Sequence, residues 1–580
     1  PDMAQYPNPI SLLEVTDKTT SDRVLVNGYL QAEPIKGLTL KANLGVDRRY
    51  DKNKSYVPNT TVAGAAKGGI ANILQRDNID YLMELTANYT KDFGNHSLTA
   101  LVGYSYQQFN QESVYAGNED FSTDGFLYNN LQAGAGTKPY VNSSARKSAL
   151  GSYFARANYS YLGKYLLTVT VRADVESNFH PDYRWGYFPS VSAGWRFSDE
   201  EFMKPLSSIL SNGKLRASYG QTGNSNIGNY MTDSYGVVSG WVFGNDGYMG
   251  TAITKRGNKK LTWETTSEFN IGLDLGFFDN RISLSMEYYN RIISDLLVSN
   301  KSLPAYNEIN TIAANIGKTQ GRGFELTLST VNIMNKDWTW STDFTFYTFK
   351  DNWYERDPNW KPAAYESKKD PIRSYYSYVS DGLLQVGEKA PAWQPTLVPG
   401  QIKLKNLYDT GTSPNVLDQY DKVNLGSQDP KCTLGLNNTL RYKNLDFNIY
   451  FYGEIGRLRG ASYYDAWIVG LGNSLTNVSQ QSLHSYTNAN QNTTVPNLIE
   501  SAYDFGDYYH KKINYLRCRN ITLGYTIPVS KSIANSVRIS ANVSNPFVFT
   551  NWNGVDPETD TGNFSYPNVT SFSFGIDISF

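Results

Sequence analysis

The last residues of the chain alternate strictly between apolar and polar: Phe572, Phe574, Ile576, Ile578 and Phe580 are interleaved with Ser571, Ser573, Gly575, Asp577 and Ser579. A period of two puts one set of side chains on each face of a β-strand. The stretch is close to the roughly 9 to 11 residues of a tilted membrane strand, and it stops on a terminal aromatic. It therefore predicts a barrel-assembly carboxyl-terminal strand with Ile576 and Ile578 towards lipid and Asp577 towards the lumen. The same alternation recurs at Val537, Ile539, Ala541 and Val543, at Leu445, Phe447, Ile449 and Phe451, and at Ile282, Leu284, Met286 and Tyr288. A whole series of such segments predicts an all-β protein, a transmembrane antiparallel β-barrel.

Hairpins are legible between the segments. Phe269 to Phe277 runs into Phe278-Asp279-Asn280 and returns as Arg281 to Ile292, while Thr433 to Tyr442 turns at Lys443-Asn444 and returns as Leu445 to Ile455. Turns this short belong on the periplasmic side of outer-membrane barrels. Long polar, glycine- and aromatic-rich stretches lie between the pairs, at Tyr50 to Ile79, Gln221 to Trp263, Asp351 to Lys431 and Leu458 to Lys512. These are expected to be extracellular loops, and connections of such length are usually functional. The pattern yields about 16 strands, with residues 1–23 as a loop or linker entering the barrel and 24–580 as the barrel itself.

Composition refines this picture. The chain holds 44 Tyr, 26 Phe, 11 Trp and 47 Gly, and its mean hydropathy is −0.47. That suits aromatic strands joined by polar loops and is too polar for helical membrane spans. No run approaches the roughly 18 to 20 apolar residues of a spanning helix, yet a strand with one lipid face and one wet face averages to neutral while still crossing the bilayer. The net charge of −1, from 53 basic and 54 acidic residues, supplies no basic field for nucleic acid. Cys432 and Cys518 are too few for a disulfide framework or a thiolate metal site, and His96, His180, His484 and His510 have no ligand spacing. The opening Pro1-Asp2-Met3-Ala4-Gln5-Tyr6-Pro7 lacks the basic start and apolar core of a secretory signal, so the numbering is expected to open inside a longer precursor.

Short motifs that mimic catalysis fail on context. Asp409-Thr410-Gly411 and Asp560-Thr561-Gly562 spell the aspartic-protease triplet, but both read as turns rather than the ends of apolar strands. Asp556-Pro557-Glu558 pairs two carboxylates, yet the intervening proline and the preceding Asn-Gly favour a turn before the last strand. With no nucleophile triad, phosphate loop or HExxH, the chain is not expected to be an enzyme. The residues best suited to binding are loop aromatics, Trp353, Tyr354, Trp360, Tyr375, Tyr376, Tyr378 and Trp393, with Trp241, Tyr463, Tyr464 and Trp467 elsewhere. Stacking on a sugar ring or peptide side chain needs a rigid apolar plate with a polar rim, although barrel aromatics also serve as interface girdles and loop packing.

Several phrases in order resemble one family. Tyr187-Phe188-Pro189-Ser190-Val191-Ser192-Ala193-Gly194-Trp195-Arg196, Ala217-Ser218-Tyr219-Gly220-Gln221-Thr222-Gly223-Asn224, Asn315-Ile316-Gly317-Lys318 with Gly323-Phe324-Glu325, and Tyr515-Leu516-Arg517-Cys518-Arg519-Asn520-Ile521-Thr522-Leu523-Gly524-Tyr525 are similar to successive signatures of the SusC/RagA family of TonB-linked outer-membrane proteins. Asn545-Pro546-Phe547, Asp556-Pro557-Glu558 and the terminal Phe580 follow in the family's order. The resemblance implies a barrel of about 22 strands, of which this chain would supply about 16 and could not close a lumen alone. It also implies a plug and a TonB-contacting segment ahead of Val24.

The implied function is outer-membrane import of oligosaccharides or oligopeptides, energised through TonB and assisted by a SusD-like surface lipoprotein, with outer-membrane lipid and lipopolysaccharide around the wall. The main rival is an accessory or assembly subunit that keeps the barrel without transport. A passive porin ranks below it, and an outer-membrane enzyme last. Family members often carry an acidic loop suggestive of calcium. Here Asn406-Leu407-Tyr408-Asp409-Thr410-Gly411-Thr412-Ser413 offers few of the carboxylates calcium requires, so no cofactor is expected.

Overall fold

The computed structural model describes residues 10–136, 139–243, 246–304, 306–307, 309–367, 369–408, 415–460, 480–497, 505–529, 534–552, 554–559 and 566–580. Its strands follow in chain order as β1 (Thr16–Ile35), β2 (Leu38–Val57), β3 (Ile70–Phe93), β4 (His96–Glu119), β5 (Tyr140–Tyr161), β6 (Tyr165–Glu176), β7 (Trp185–Trp195) and β8 (Leu210–Asn224). Next come β9 (Tyr235–Phe243), β10 (Asp246–Lys255), β11 (Glu264–Phe277), β12 (Ile282–Ser294), β13 (Leu297–Ser302), β14 (Thr311–Asn315), β15 (Lys318–Met334) and β16 (Trp338–Glu355). The remainder are β17 (Ser374–Ser377), β18 (Ser380–Leu383), β19 (Ile402–Leu404), β20 (Val423–Ser427), β21 (Cys432–Tyr442), β22 (Leu445–Arg459), β23 (Lys511–Ile527), β24 (Ser536–Thr550) and β25 (Ser571–Ser579). Seventeen of them carry the main sheet, and the other eight form two-stranded pairs. The protein is all-β and antiparallel. Its contacts divide it into two units, one of Pro1–Ala193, Tyr219–Ser267 and Ile293–Ile316, the other of Gly194–Ser218, Glu268–Ile292 and Gly317–Phe580.

In the first unit β1 to β6 pair in sequence order. Directly opposed residues share a face, so the registers line up Leu30, Ala42, Leu85, Tyr104 and Tyr153 in one row and Ala32, Leu40, Ala87, Val102, Ala155 and Val171 in the next. The other face carries Gln31, Lys41 and Thr86, and the Arg23–Asp47 pair at 2.6 Å. Aromatics bound the apolar band at both ends. Towards the short turns, Phe93 stacks on His96 at 5.1 Å and His96 meets Tyr161 at 4.8 Å, while at the opposite end Tyr153 meets Tyr104 at 4.9 Å and Trp185 at 6.4 Å. From Tyr153 to Tyr161 the strand runs about 26 Å at ~3.3 Å per residue, or about 20 Å of depth at a ~40° tilt, which spans most of the roughly 25 Å apolar band between the girdles of outer-membrane barrels.

The second unit repeats the logic with β15, β16 and β21 to β25. Trp338, Tyr442, Leu445, Tyr525, Ile539 and Ile576 form one row, and Trp338 and Tyr442 lie 4.4 Å apart beside the short turns. Ile578 faces Val537 in the same register, whereas Asp577 faces Arg538, which reaches Asp446 at 2.6 Å and Asp577 at 3.7 Å. The carboxyl-terminal strand thus has Phe572, Phe574, Ile576 and Ile578 on the apolar face and Asp577 on the polar one, with Phe580 just beyond its end. Both hairpins expected from the sequence form, as β11 with β12 and β21 with β22, with left-handed backbone at Phe278, Asp279, Asn280 and Lys443 in their turns.

Two boundaries differ from the sequence reading. The segment from Tyr50 to Ile79, expected as a loop, is mostly strand, because β2 runs to Val57 and β3 starts at Ile70. Likewise β1 begins at Thr16, inside residues 1–23, which had read as a linker. Beyond the apolar band neither face needs apolar residues, so the period-two signal disappears while the ladder continues. Cross-strand polar contacts hold it instead: Arg48 to Asp77 at 2.7 Å, Ser21 to Asp51 at 2.6 Å and Asn53 to Asp17 at 2.6 Å.

β1 is exposed at every position after Thr16, and β25 at every position, whereas β3 and β4 are largely half-buried. Such exposure marks a sheet edge, whose unpaired amide and carbonyl groups are intolerable in hydrocarbon unless another strand covers them.

Candidate functional site

The two longest connections of the second unit, between β16 and β21 and between β22 and β23, build one small body. Short strands start it: Ser374–Ser377 pairs with Val423–Ser427, and Ser380 and Leu383 pair with Leu404 and Ile402. Leu383, Ile402 and Leu404 from the first connection and Tyr486 and Tyr509 from the second then close a common core, against which Tyr378, Leu417, Val495, Phe505 and Tyr508 pack. Hydrogen bonds stitch the same seam. Asp507 accepts the Ser380 amide and hydroxyl, both at 2.7 Å, the Val386 amide donates to the Tyr486 hydroxyl at 3.1 Å, and the Asn497 side-chain Nδ2 donates to the Pro399 carbonyl at 2.6 Å. Gly400 permits the close approach, since its φ is +88° and a Cβ there would lie 2.6 Å from the Tyr486 ring. A cavity of about 790 Å³ opens on this body, lined by Gln385, His484, Asn490, Gln491, Thr493 and their neighbours. Its wall of amides and hydroxyls offers hydrogen bonds rather than apolar contact.

The seven aromatics singled out by sequence all fall in or beside this first connection, and most are engaged within the protein. Trp353 and Trp360 both pack against the Arg356 guanidinium. Tyr375 lies 4.4 Å from His510 across the two connections, and Tyr378 packs on the core beneath Lys422. Trp393 donates to the Leu404 carbonyl at 2.7 Å. Tyr376 donates to Asp370 at 2.7 Å. Burial, with that hydrogen bond second, pushes its phenol up to about 12. At Asp370 burial works upward, but the bonds from Tyr376 and the Ser367 amide prevail and hold the carboxyl below its ordinary range. Tyr354, at 61% exposure, presents its ring to solvent. Tyr463, Tyr464 and Trp467, the Asp409 and Asp560 triplets and most of the segment considered for calcium lie outside the described residues, as does the side chain of Trp241. If Trp393 fixes β19, Trp393→Phe strands the Leu404 carbonyl and should cost about 1–3 kcal/mol locally. The expected readout is faster proteolytic nicking between 385 and 405 with the strands intact, and an unchanged nicking rate would refute the role.

Sequence reasoning missed a second cluster. Asp556-Pro557-Glu558 does form a turn, in which the Asp556 carboxylate accepts the Glu558 amide at 2.8 Å and the Thr559 amide at 3.3 Å. The two acids also clamp β23: Arg517 reaches Asp556 at 2.8 Å and Glu558 at 2.6 Å, and Arg519 reaches Glu558 at 2.6 Å. Arg459 adds a bond to the Glu558 carbonyl at 3.0 Å. Arg517 and Asp556 are 4% and 5% exposed, so these charges depend on one another. Burial pushes Asp556 upward, yet the Glu558 amide, the Arg517 charge and the Asn568 and Thr559 amides outweigh it and hold the carboxyl below its usual range. The visible signal was Arg517 and Arg519 flanking Cys518 in a strand with no acid beside them. These groups act on one another by charge pairing and hydrogen bonding.

With this geometry in view, comparison with known proteins is direct. A family model described as "TonB dependent receptor-like, beta-barrel" matches residues 4–545. "TonB-dependent receptor P3" of Formosa agariphila is 32% identical over 605 residues, covering 99% of this chain and 60% of that protein. "TonB-dependent receptor SusC" of Bacteroides thetaiotaomicron is 28% identical over 600 residues, covering 99% of this chain and 57% of that protein. Among solved structures, a chain of the RagAB peptide transporter superposes with a TM-score of 0.84 at 26% identity, covering 99% of this chain and 63% of that one. The chain thus spans about 60% of the length of the first of these relatives.

Proposed function

Because this chain belongs to the TonB-dependent receptor-like β-barrel family, we propose that it forms much of the wall and the outer loops of an importer for oligosaccharides or oligopeptides, energised through TonB. It is a protein of the bacterial outer membrane, and its relatives are transporters rather than enzymes. The observation that carries the reading is the shared core of the two longest connections, Leu383, Ile402, Leu404, Tyr486 and Tyr509, set above strands with an apolar band and aromatic girdles. A packed outer body of this size offers a platform for a partner. We propose a SusD-like lipoprotein as that partner, resting on the loops between Asp351 and Lys431 and between Leu458 and Lys512. The similar RagAB, described as a peptide transporter, and SusC support the direction of this reading. The exposed edges of β1 and β25 fit a wall completed by further strands and sealed by a plug through which TonB acts.

Affinity capture of the full-length protein from native outer membranes tests the partner. A stoichiometric lipoprotein is expected, crosslinked to residues 380–405 or 480–497, with an interface above about 2,000 Å². Capture of the intact barrel with no lipoprotein on those loops would contradict the proposal.

A further inference from the structure

Beside the loop body, the Arg356 guanidinium has no hydrogen-bond or salt-bridge partner among the described residues, although its charge is felt at Asp370. Arg356 follows β16 directly, with its guanidinium carbon 5.4 Å from the Trp353 ring centroid and 3.8 Å from that of Trp360. The local chain builds this arrangement. Asp357 opens a turn in which its side chain accepts the Asn359 amide at 2.9 Å and its carbonyl accepts the Trp360 amide at 2.9 Å, bringing Trp360 back over Arg356. Trp353 is backed by Gly317, where an added Cβ would lie 3.3 Å from the indole.

Two indoles within cation–π reach of a guanidinium restrain it and leave its Nη N–H groups as the donors open to a ligand. The Arg356 Nε is shut away from solvent without a hydrogen bond, and neither Nη nitrogen has an acceptor among the described residues. The nearby acids make their hydrogen bonds elsewhere, although the Arg356 charge helps hold Asp370 ionised. Glu355 pairs with Lys318 at 2.9 Å, and Asp370 accepts the Tyr376 hydroxyl at 2.7 Å and the Ser367 amide at 2.9 Å. A planar donor fork held rigid and left unsatisfied matches a carboxylate, whose two oxygens accept both N–H groups at once.

We propose that Arg356 binds a carboxylate on the imported ligand, with Trp353 and Trp360 holding the guanidinium in the receiving plane. The ligand class is therefore an oligomer bearing carboxylates, whether a uronate glycan or an acidic peptide. This assignment rests on the import reading, and a binding measurement separates the two. Full-length protein, with the subunits that copurify, is titrated in detergent with an oligouronate and its carboxyl-reduced form, and in a second arm with an oligoglutamate and its amide. In at least one arm the acid should bind about tenfold to a hundredfold more tightly than its neutral counterpart, as charge-assisted bonds allow. The arm that responds identifies the source. Arg356→Gln should abolish the preference, and Arg356→Lys should keep only part of it, because an ammonium cannot fork. Unchanged heat-modifiable migration of both variants verifies folding. Equal affinity for acid and neutral forms in both arms, no binding of either acid, or a preference that survives Arg356→Gln would overturn the assignment. Import of neutral oligomers in cells would still stand after any of those results.

Discussion

Arg517→Met should destabilise the second unit by about 3–5 kcal/mol, because it leaves Asp556 and Glu558 buried without their cation. Arg517 is 4% exposed and reaches both carboxylates within 2.8 Å, so no water replaces it. The loss should appear as an earlier denaturant midpoint in detergent and as proteolytic opening between 551 and 570. Removing the acids as well, in Arg517→Met with Asp556→Leu and Glu558→Leu, should recover much of the loss, since an apolar replacement of a whole buried charge group is often neutral. The cluster also sets an acid dependence. Asp556 is held below its ordinary value in the folded protein, so its contribution is fully present above the unfolded value of about 3.9 and fades as pH falls through the lower folded value. Acid opening of the 551–570 connection below about pH 4 should therefore be weaker in Asp556→Asn than in the native protein. A single Arg517→Met variant as stable as the native protein would show that the clamp is ornamental.

Ile576→Arg should lower the yield of folded, heat-modifiable barrel sharply, because an arginine on the lipid face near the midplane costs about 2–4 kcal/mol. Asp577→Asn should cost far less. Its carboxylate is 74% exposed and 3.7 Å from Arg538, and exposed pairs contribute about 0–1 kcal/mol. The contrast depends entirely on register, in which Ile576 faces Ile539 and Asp577 faces Arg538. Equal losses at the two positions would mean that the faces are exchanged.

Lipid made this part of the fold legible. Where one face of a strand meets hydrocarbon, as at Ile576, Ile539 and Leu445, the chain must alternate, and the alternation reads directly as register. Outside the membrane that demand lapses. Thr16 to Asp22 and Tyr50 to Val57 are strands held by polar contacts such as Ser21 with Asp51, and nothing in their period distinguishes them from loop. The loop aromatics were visible as a group, but their individual duties were not. Trp393 reaching the Leu404 carbonyl and Trp360 folding back on Arg356 depend on turns whose geometry composition does not encode. Asp556-Pro557-Glu558 was legible as a turn because its proline and the preceding Asn-Gly favour one. Its clamp on Arg517 spans 39 residues of chain, a separation that no local pattern can report.

Uptake in living cells decides whether import through this barrel is energised. Cells of the native organism, with and without the gene, are given a labelled oligosaccharide or oligopeptide that supports gene-dependent growth, in the presence and absence of a protonophore that collapses the inner-membrane gradient. Uptake should fall to background both on deletion and under the protonophore. Uptake that needs the gene but ignores the protonophore would identify a passive pore, and uptake indifferent to the gene would leave only an accessory role for the barrel.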